Sequence, residues 1–142
     1  MTIKKTGLAM GLLVDTSVWS QAFRRDVPSD IPEVVELKRA LESGASIFVT
    51  GLILQELLQG FNKPRAQDQI VEYFTSLPLL TPDWQDYISA AELRNKCWKK
   101  GVQSGTIGAL PAQPCIHHEL DILTTDKDFA HMAKVVNFGI WR

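Results

Sequence analysis

The chain is poor in the residues that support several common chemistries. It has only two cysteines, Cys97 and Cys115, in 142 residues. Two thiols build neither a disulfide framework nor a four-cysteine zinc site, and their scarcity suits a reducing compartment. Histidine is nearly as rare, three in all, and His117 and His118 are adjacent, so their side chains are expected to point differently. That leaves little provision for zinc ligation or an imidazole base. A surplus of positive charge is missing too: 15 Lys and Arg stand against 16 Asp and Glu, for a net charge of −1. Contact with nucleic acid therefore has to come from a local patch rather than a global field. No glycine loop of the phosphate-cradling kind is present. Long apolar runs are also lacking. The leader MTIKKTGLAMGLLV puts lysines before apolar residues, but its run is short, broken by glycine and without a cleavage site, unlike a secretory signal. Nothing approaches the roughly 20 apolar residues of a membrane span. A cytoplasmic protein is expected, with Met10 as a possible natural start and residues 1–9 as a disordered extension.

What the chain does have is a hydrophobic content of 45%, enough for one real core and one domain over residues 10–142. Its patterning alternates. GLLV (11–14) is a short, wholly apolar run ending at Asp15, as in a buried central strand. SVWSQAF follows with helical character. IPEVVELKRALESG opens with Pro32 in its first turn and stops at Gly44, a complete helix grammar. ASIFVT is β-branched and aromatic, a second strand. TGLILQELLQGF begins a helix capped by Thr50, and PRAQDQIVEYFTSL places Ile70, Phe74 and Leu77 at helical spacing. TPDWQDYISAAELRNKCWKKG reads as a long helix with Thr81 as cap, Pro82 first and a basic last turn. DILTT is a third strand and KVVNF a fourth. Strands alternating with helices predict an α/β domain, a mostly parallel sheet of about four or five strands with helices on both faces. Ligands of such sheets gather beyond the carboxyl ends of the strands.

Acids occupy those ends. Asp15 closes the first strand, Glu56 lies in the early turns of the helix after the second, and Asp126 follows the third in ILTTDKDF. Each has a plainer use: Asp15 as a helix cap, Glu56 as a solvated helix residue, Asp126 in a turn, Asp128 at a helix start. Three carboxylates brought to one mouth repel each other unless a cation neutralises them, and all-oxygen ligands select a hard ion such as Mg²⁺ or Mn²⁺.

The phrases LLVDTSVW, TGLILQELLQGF and ILTTDKDF, in this order and spacing, with the closing VVNFGIW, resemble the PIN-domain ribonucleases, in particular the VapC-like toxins of toxin–antitoxin pairs. The resemblance runs from about residue 10 to the end. It implies a PIN-like fold, RNA cleavage at an acidic pocket binding Mg²⁺ or Mn²⁺, a small antitoxin that holds the protein inactive, and a homodimer. Matched residue by residue, it implies catalytic and metal-binding roles for Asp15, Glu56 and Asp126, with Thr16, Thr125 and Asp128 as supporting polar groups. A further acid of the family opens a helix in a phrase like G(T/S)xDALIAA. This chain has GTIGALPAQP there, so Gly108 stands where that acid is expected.

The stretch is abnormal on physical grounds as well. A helix starting near Thr106 would place Ile107, Leu110, Pro111 and Pro114 on one face. Each proline would remove a backbone hydrogen bond and crowd the carbonyl four residues back, at roughly 3 kcal/mol apiece. A kinked, frayed or unwound segment is expected. Phosphate contacts are expected from Arg24, Arg25, Arg94 and Lys99, with Lys96 and Lys100 nearby. Trp19, Trp84, Trp98 and Trp141 could stack on bases, though core or dimer packing is the commoner use. With the acid missing, the alternative is a catalytically inactive PIN-fold protein that binds antitoxin or RNA without cutting.

Overall fold

A computed structural model of the chain describes residues 11–24, 30–102 and 106–142, without the side chains of 106–111. The expected extension, residues 1–9, lies outside the described residues. Within them the chain runs β1 (Leu12–Val14), α1 (Thr16–Phe23), α2 (Pro32–Ser43), β2 (Ile47–Thr50), α3 (Gly51–Gly60), α4 (Pro64–Thr75) and β3 (Leu79–Leu80). It continues through α5 (Trp84–Lys99), α6 (Thr106–His117), β4 (Asp121–Leu123), α7 (Lys127–Ala133) and β5 (Gly139–Ile140). All strand pairings are parallel, in the order β3-β2-β1-β4-β5. The α/β architecture is as the sequence predicts.

β1 is central and its three residues are buried, as a strand covered on both faces requires. From β1 the chain steps outward through β2 to β3, then crosses back to β4 and steps the other way to β5. Right-handed crossovers put α1 to α4 on one face and α5 to α7 on the other. The first layer packs α1 against α2 and α3, and α3 against α4; the second packs α5 against α6. Trp19 of α1 is buried, stacked on Phe23 at 5.7 Å between ring centroids and 4.9 Å from Phe74. That tryptophan is core, not a base platform. Among the described residues no helix is long and apolar enough to cross a membrane.

Several boundaries move from their expected places. The last strand is Gly139–Ile140, not KVVNF; residues 134–137 turn after α7, with the amides of Val135 and Val136 bonded back to the Met132 carbonyl. Leu79–Leu80 adds an edge strand too short to carry a period. Asp83, not Thr81, caps α5: its side chain accepts from the Asp86 amide while the Asp86 side chain accepts from the Asp83 amide, each at 2.9 Å.

The largest difference is α6. It is a helix from Thr106 to His117, through both Pro111 and Pro114. Proline removes its own donor but keeps its carbonyl, and the Pro114 carbonyl still accepts from the His118 amide at 2.8 Å. Ala112, Gln113, Pro114 and Cys115 are all buried, and α6 packs against α5 more extensively than any other pair of elements packs. Tertiary burial thus holds a helix that local propensity opposes.

Candidate active site

The carboxyl ends of β1 and β4 form the switch point of the sheet, since the chain leaves β1 toward one edge and β4 toward the other. The two ends are fastened together: the Asp15 amide donates to the Leu123 carbonyl at 2.9 Å. Asp15 is the N-cap of α1, its carboxylate accepting from the Ser17 amide at 3.4 Å. The same Oδ2 accepts from the Ser17 hydroxyl at 2.7 Å and the Thr124 hydroxyl at 2.8 Å. Capping and a place at the mouth are therefore compatible uses of one aspartate.

Thr124 links the two strands chemically. Its Oγ1 donates to Asp15 and accepts from the Asp126 amide at 2.9 Å, which sets where Asp126 begins α7. Asp126 caps that helix, its Oδ1 accepting from the Asp128 amide at 2.9 Å. Asp126 and Asp128 are exposed. Thr125 takes part through its backbone, its amide donating to the Ser17 hydroxyl at 3.1 Å, while its side chain is exposed. On the other side of Asp15, the Thr16 hydroxyl donates to Glu56 Oε1 at 2.8 Å, tying α1 to half-buried Glu56 on α3.

The structure therefore joins Asp15 to Asp126 through Thr124, and Glu56 to the residue beside Asp15 through Thr16. Sequence reasoning missed Ser17 and Thr124. The signal was present in part: a serine two places after a strand-end aspartate is a capping pattern. For Thr124 no pattern separates it from Thr125.

Gly108 lies in the first turn of α6. Among the described residues no group of three or more Asp, Glu, His or Cys side chains is placed to hold a metal ion. The donors at the mouth are nonetheless all oxygen, the chemistry of a hard cation. Mg²⁺ commonly takes one or two carboxylates and completes its shell with water and substrate phosphate. Asp15 and Asp126 fit that limited role, not a closed protein cage.

The remaining candidates scatter. Arg24 is exposed at the end of α1, Arg25 lies outside the described residues, and Arg94, Lys96, Lys99 and Lys100 are exposed along or just after α5. Trp84 and Trp98 are exposed and Trp141 is half-buried. His117 and His118, expected to point differently, stack with ring centroids 4.5 Å apart, and His117 Nδ1 lies 3.5 Å from Asp86 Oδ1. Beyond the end of β2, a cavity of about 320 Å³ is bounded by Thr50, Gly51, Leu80, Pro82 and Tyr87.

A family model described as PIN domain matches residues 12–135. No curated protein sequence matches the chain. Among solved structures, VapBC2 from Rickettsia felis bound to a DNA fragment from its promoter is similar at TM-score 0.69 and 17% identity, covering 92% of this chain and 96% of that one. DNA-bound VapBC from Salmonella typhimurium is similar at 0.68 and 20% identity, covering 93% and 97%. VapC20 of Mycobacterium tuberculosis, described as a sarcin-ricin loop cleaving toxin, is similar at 0.65 and 16% identity, covering 92% and 98%.

Proposed function

This chain belongs to the PIN domain family, and from that premise we propose that it is a Mg²⁺- or Mn²⁺-dependent ribonuclease of the VapC toxin type, impaired by Gly108. The observation that carries the proposal is the Thr124 hydroxyl at the switch point of the sheet, shared by the Asp15 carboxylate and the Asp126 amide.

Asp15 and Asp126 would hold the ion. Bound there, it supplies positive charge to the scissile phosphate and lowers the pKa of a bound water. The chain's own groups set the stage for that chemistry. Ser17 and Thr124 fix the rotamer of Asp15 by committing its Oδ2 to three donors. Thr16 aims Glu56, which would orient the attacking water or hold a second ion. Arg24, Arg25, Arg94 and Lys99 would contact RNA phosphates outside the pocket. Gly108 supplies no oxygen where the family phrase has an acid, which removes one charge and one or two ligands and weakens cation binding.

The protein would act in the cytoplasm, as a homodimer restrained by a cognate antitoxin. The similar structures described as VapBC complexes support a partner of that kind. Gly108 also favours a second reading, a PIN-fold module that binds antitoxin or RNA without cutting.

RNA cleavage in Mg²⁺ or Mn²⁺ tests the proposal. Weak or absent cleavage is expected from the chain as it stands, and a gain from Gly108→Asp. Cleavage that stays absent in Gly108→Asp supports the binding module, and strong cleavage that survives Asp15→Asn removes the site assignment altogether.

A further inference from the structure

The acids at the mouth account for the ends of β1 and β4, but the ends of β2 and β3 carry a hollow of their own. The cavity of about 320 Å³ there is lined by buried Thr50 and by Gly51, Leu79, Thr81 and Tyr87, all exposed, with Leu80 between. Among the described residues no charged side chain lines it. A phosphate would find no side-chain counter-charge inside, whereas an uncharged group meets an apolar wall and a phenol ring. Leu79 is 59% exposed and Tyr87 56%, apolar surface that an occupant would cover. One polar group answers from within: Thr50 Oγ1 accepts from the Ile53 amide at 3.2 Å, a bond that uses the oxygen and leaves the hydroxyl proton to donate.

The cavity stands beside the acidic mouth. Counting on from the pair Leu13 and Phe48, Asp15 is level with Thr50, and Thr50 pairs with Leu80. At about 4.8 Å between strands, Asp15 is roughly 5 Å from Thr50 and 10 Å from Leu80 along the sheet edge. Glu56 lies on the same α3 five residues after Gly51, about 8 Å along the axis. That is a short step for an extended single strand. Small-ligand sites hold roughly 300 to 1,000 Å³, so this one has room for one flat heteroaromatic group and little more.

We propose that the cavity takes an unstacked base of the RNA whose phosphate lies at the mouth, stacked on Tyr87, with Thr50 donating to its edge. Bases of single-stranded RNA are bound by this combination of an aromatic face and an edge hydrogen bond. An apolar side chain of a protein partner would cover Leu79 and Tyr87 but has no use for the Thr50 proton. The inference rests on the RNA reading above and adds to it the group that contacts a base.

A short single-stranded RNA and an abasic strand of the same length differ only in their bases, and their affinities for the full chain in Mg²⁺ test the proposal. The RNA should bind at least about ten-fold more tightly than the abasic strand. Tyr87→Ala should close most of that gap, and Tyr87→Phe, which keeps the ring, should preserve it. Gly51→Leu should close it as well, by filling the cavity from an exposed position where an added Cβ meets no atom within 4 Å. These variants should keep the circular-dichroism melt, and the salt dependence of binding should not change, since the cavity contacts no phosphate. Trp84→Ala removes a more exposed ring outside the cavity and should leave the gap in place. A gap that closes only in Trp84→Ala, or that ignores both Tyr87→Ala and Gly51→Leu, overturns the base site while RNA binding stands. Failure of the chain and of Gly108→Asp to bind either strand overturns the base site and the RNA reading together.

Discussion

One hydroxyl, that of Thr124, holds the two strand-end aspartates in relation to each other, donating to one and accepting from the amide of the next. Thr124→Val keeps the shape and the β-branch but leaves both partners short of a bond in a place only 8% exposed. It should lower stability by about 1–3 kcal/mol in urea unfolding. Thr125→Val should stay within about 0.5 kcal/mol, because Thr125 contributes through its amide. This contrast marks how far the sequence was readable. Asp15 and Glu56 stand out because each charged residue adjoins an apolar run. Which of two consecutive threonines turns inward depends on the register of β4 against β1, where Val14 pairs with Leu123, and a shift of one residue reverses the faces. Gly139 makes a similar point at the other end of β4. It pairs with Asp121, and a Cβ there would overlap the Asp121 carboxylate. Gly139→Ala should cost about 1–3 kcal/mol, read as a lowered Tm.

At the scale of elements, α6 shows local preference overruled by packing. GTIGALPAQP reads as kinked, frayed or unwound from propensity alone, yet the segment is helical, with Ala112, Gln113, Pro114 and Cys115 buried in a layer with α5. Pro111→Ala restores a donor for the Ile107 carbonyl and should stabilise the chain, by up to about 3 kcal/mol in urea unfolding. A neutral or negative result would mean that the helix around residue 111 already accommodates the ring. The other misplacements share one cause, elements too short or signals too close to separate. β3 and β5 have two residues each. Thr81 and Asp83 are both good caps, and the reciprocal bond to Asp86 selects Asp83.

At the scale of the molecule, the order β3-β2-β1-β4-β5 turns separate sequence motifs into one place. Asp15 and Asp126 are more than a hundred residues apart, yet they share Thr124 because β1 and β4 are neighbours at the switch point. Alternation of strands and helices made that class of fold legible, and the rule that ligands gather at strand carboxyl ends made the acids legible. The neighbour relation itself is long-range and has no local signal. The central claim is that this mouth is a divalent-cation site weakened at residue 108, and Mn²⁺ affinity measured by titration tests it without relying on catalysis. Gly108→Asp should bind Mn²⁺ at least about ten-fold more tightly than the chain as it stands. Adding Asp15→Asn to that variant should abolish the gain. Equal affinity in all three proteins, or a gain that survives Asp15→Asn, would contradict the account.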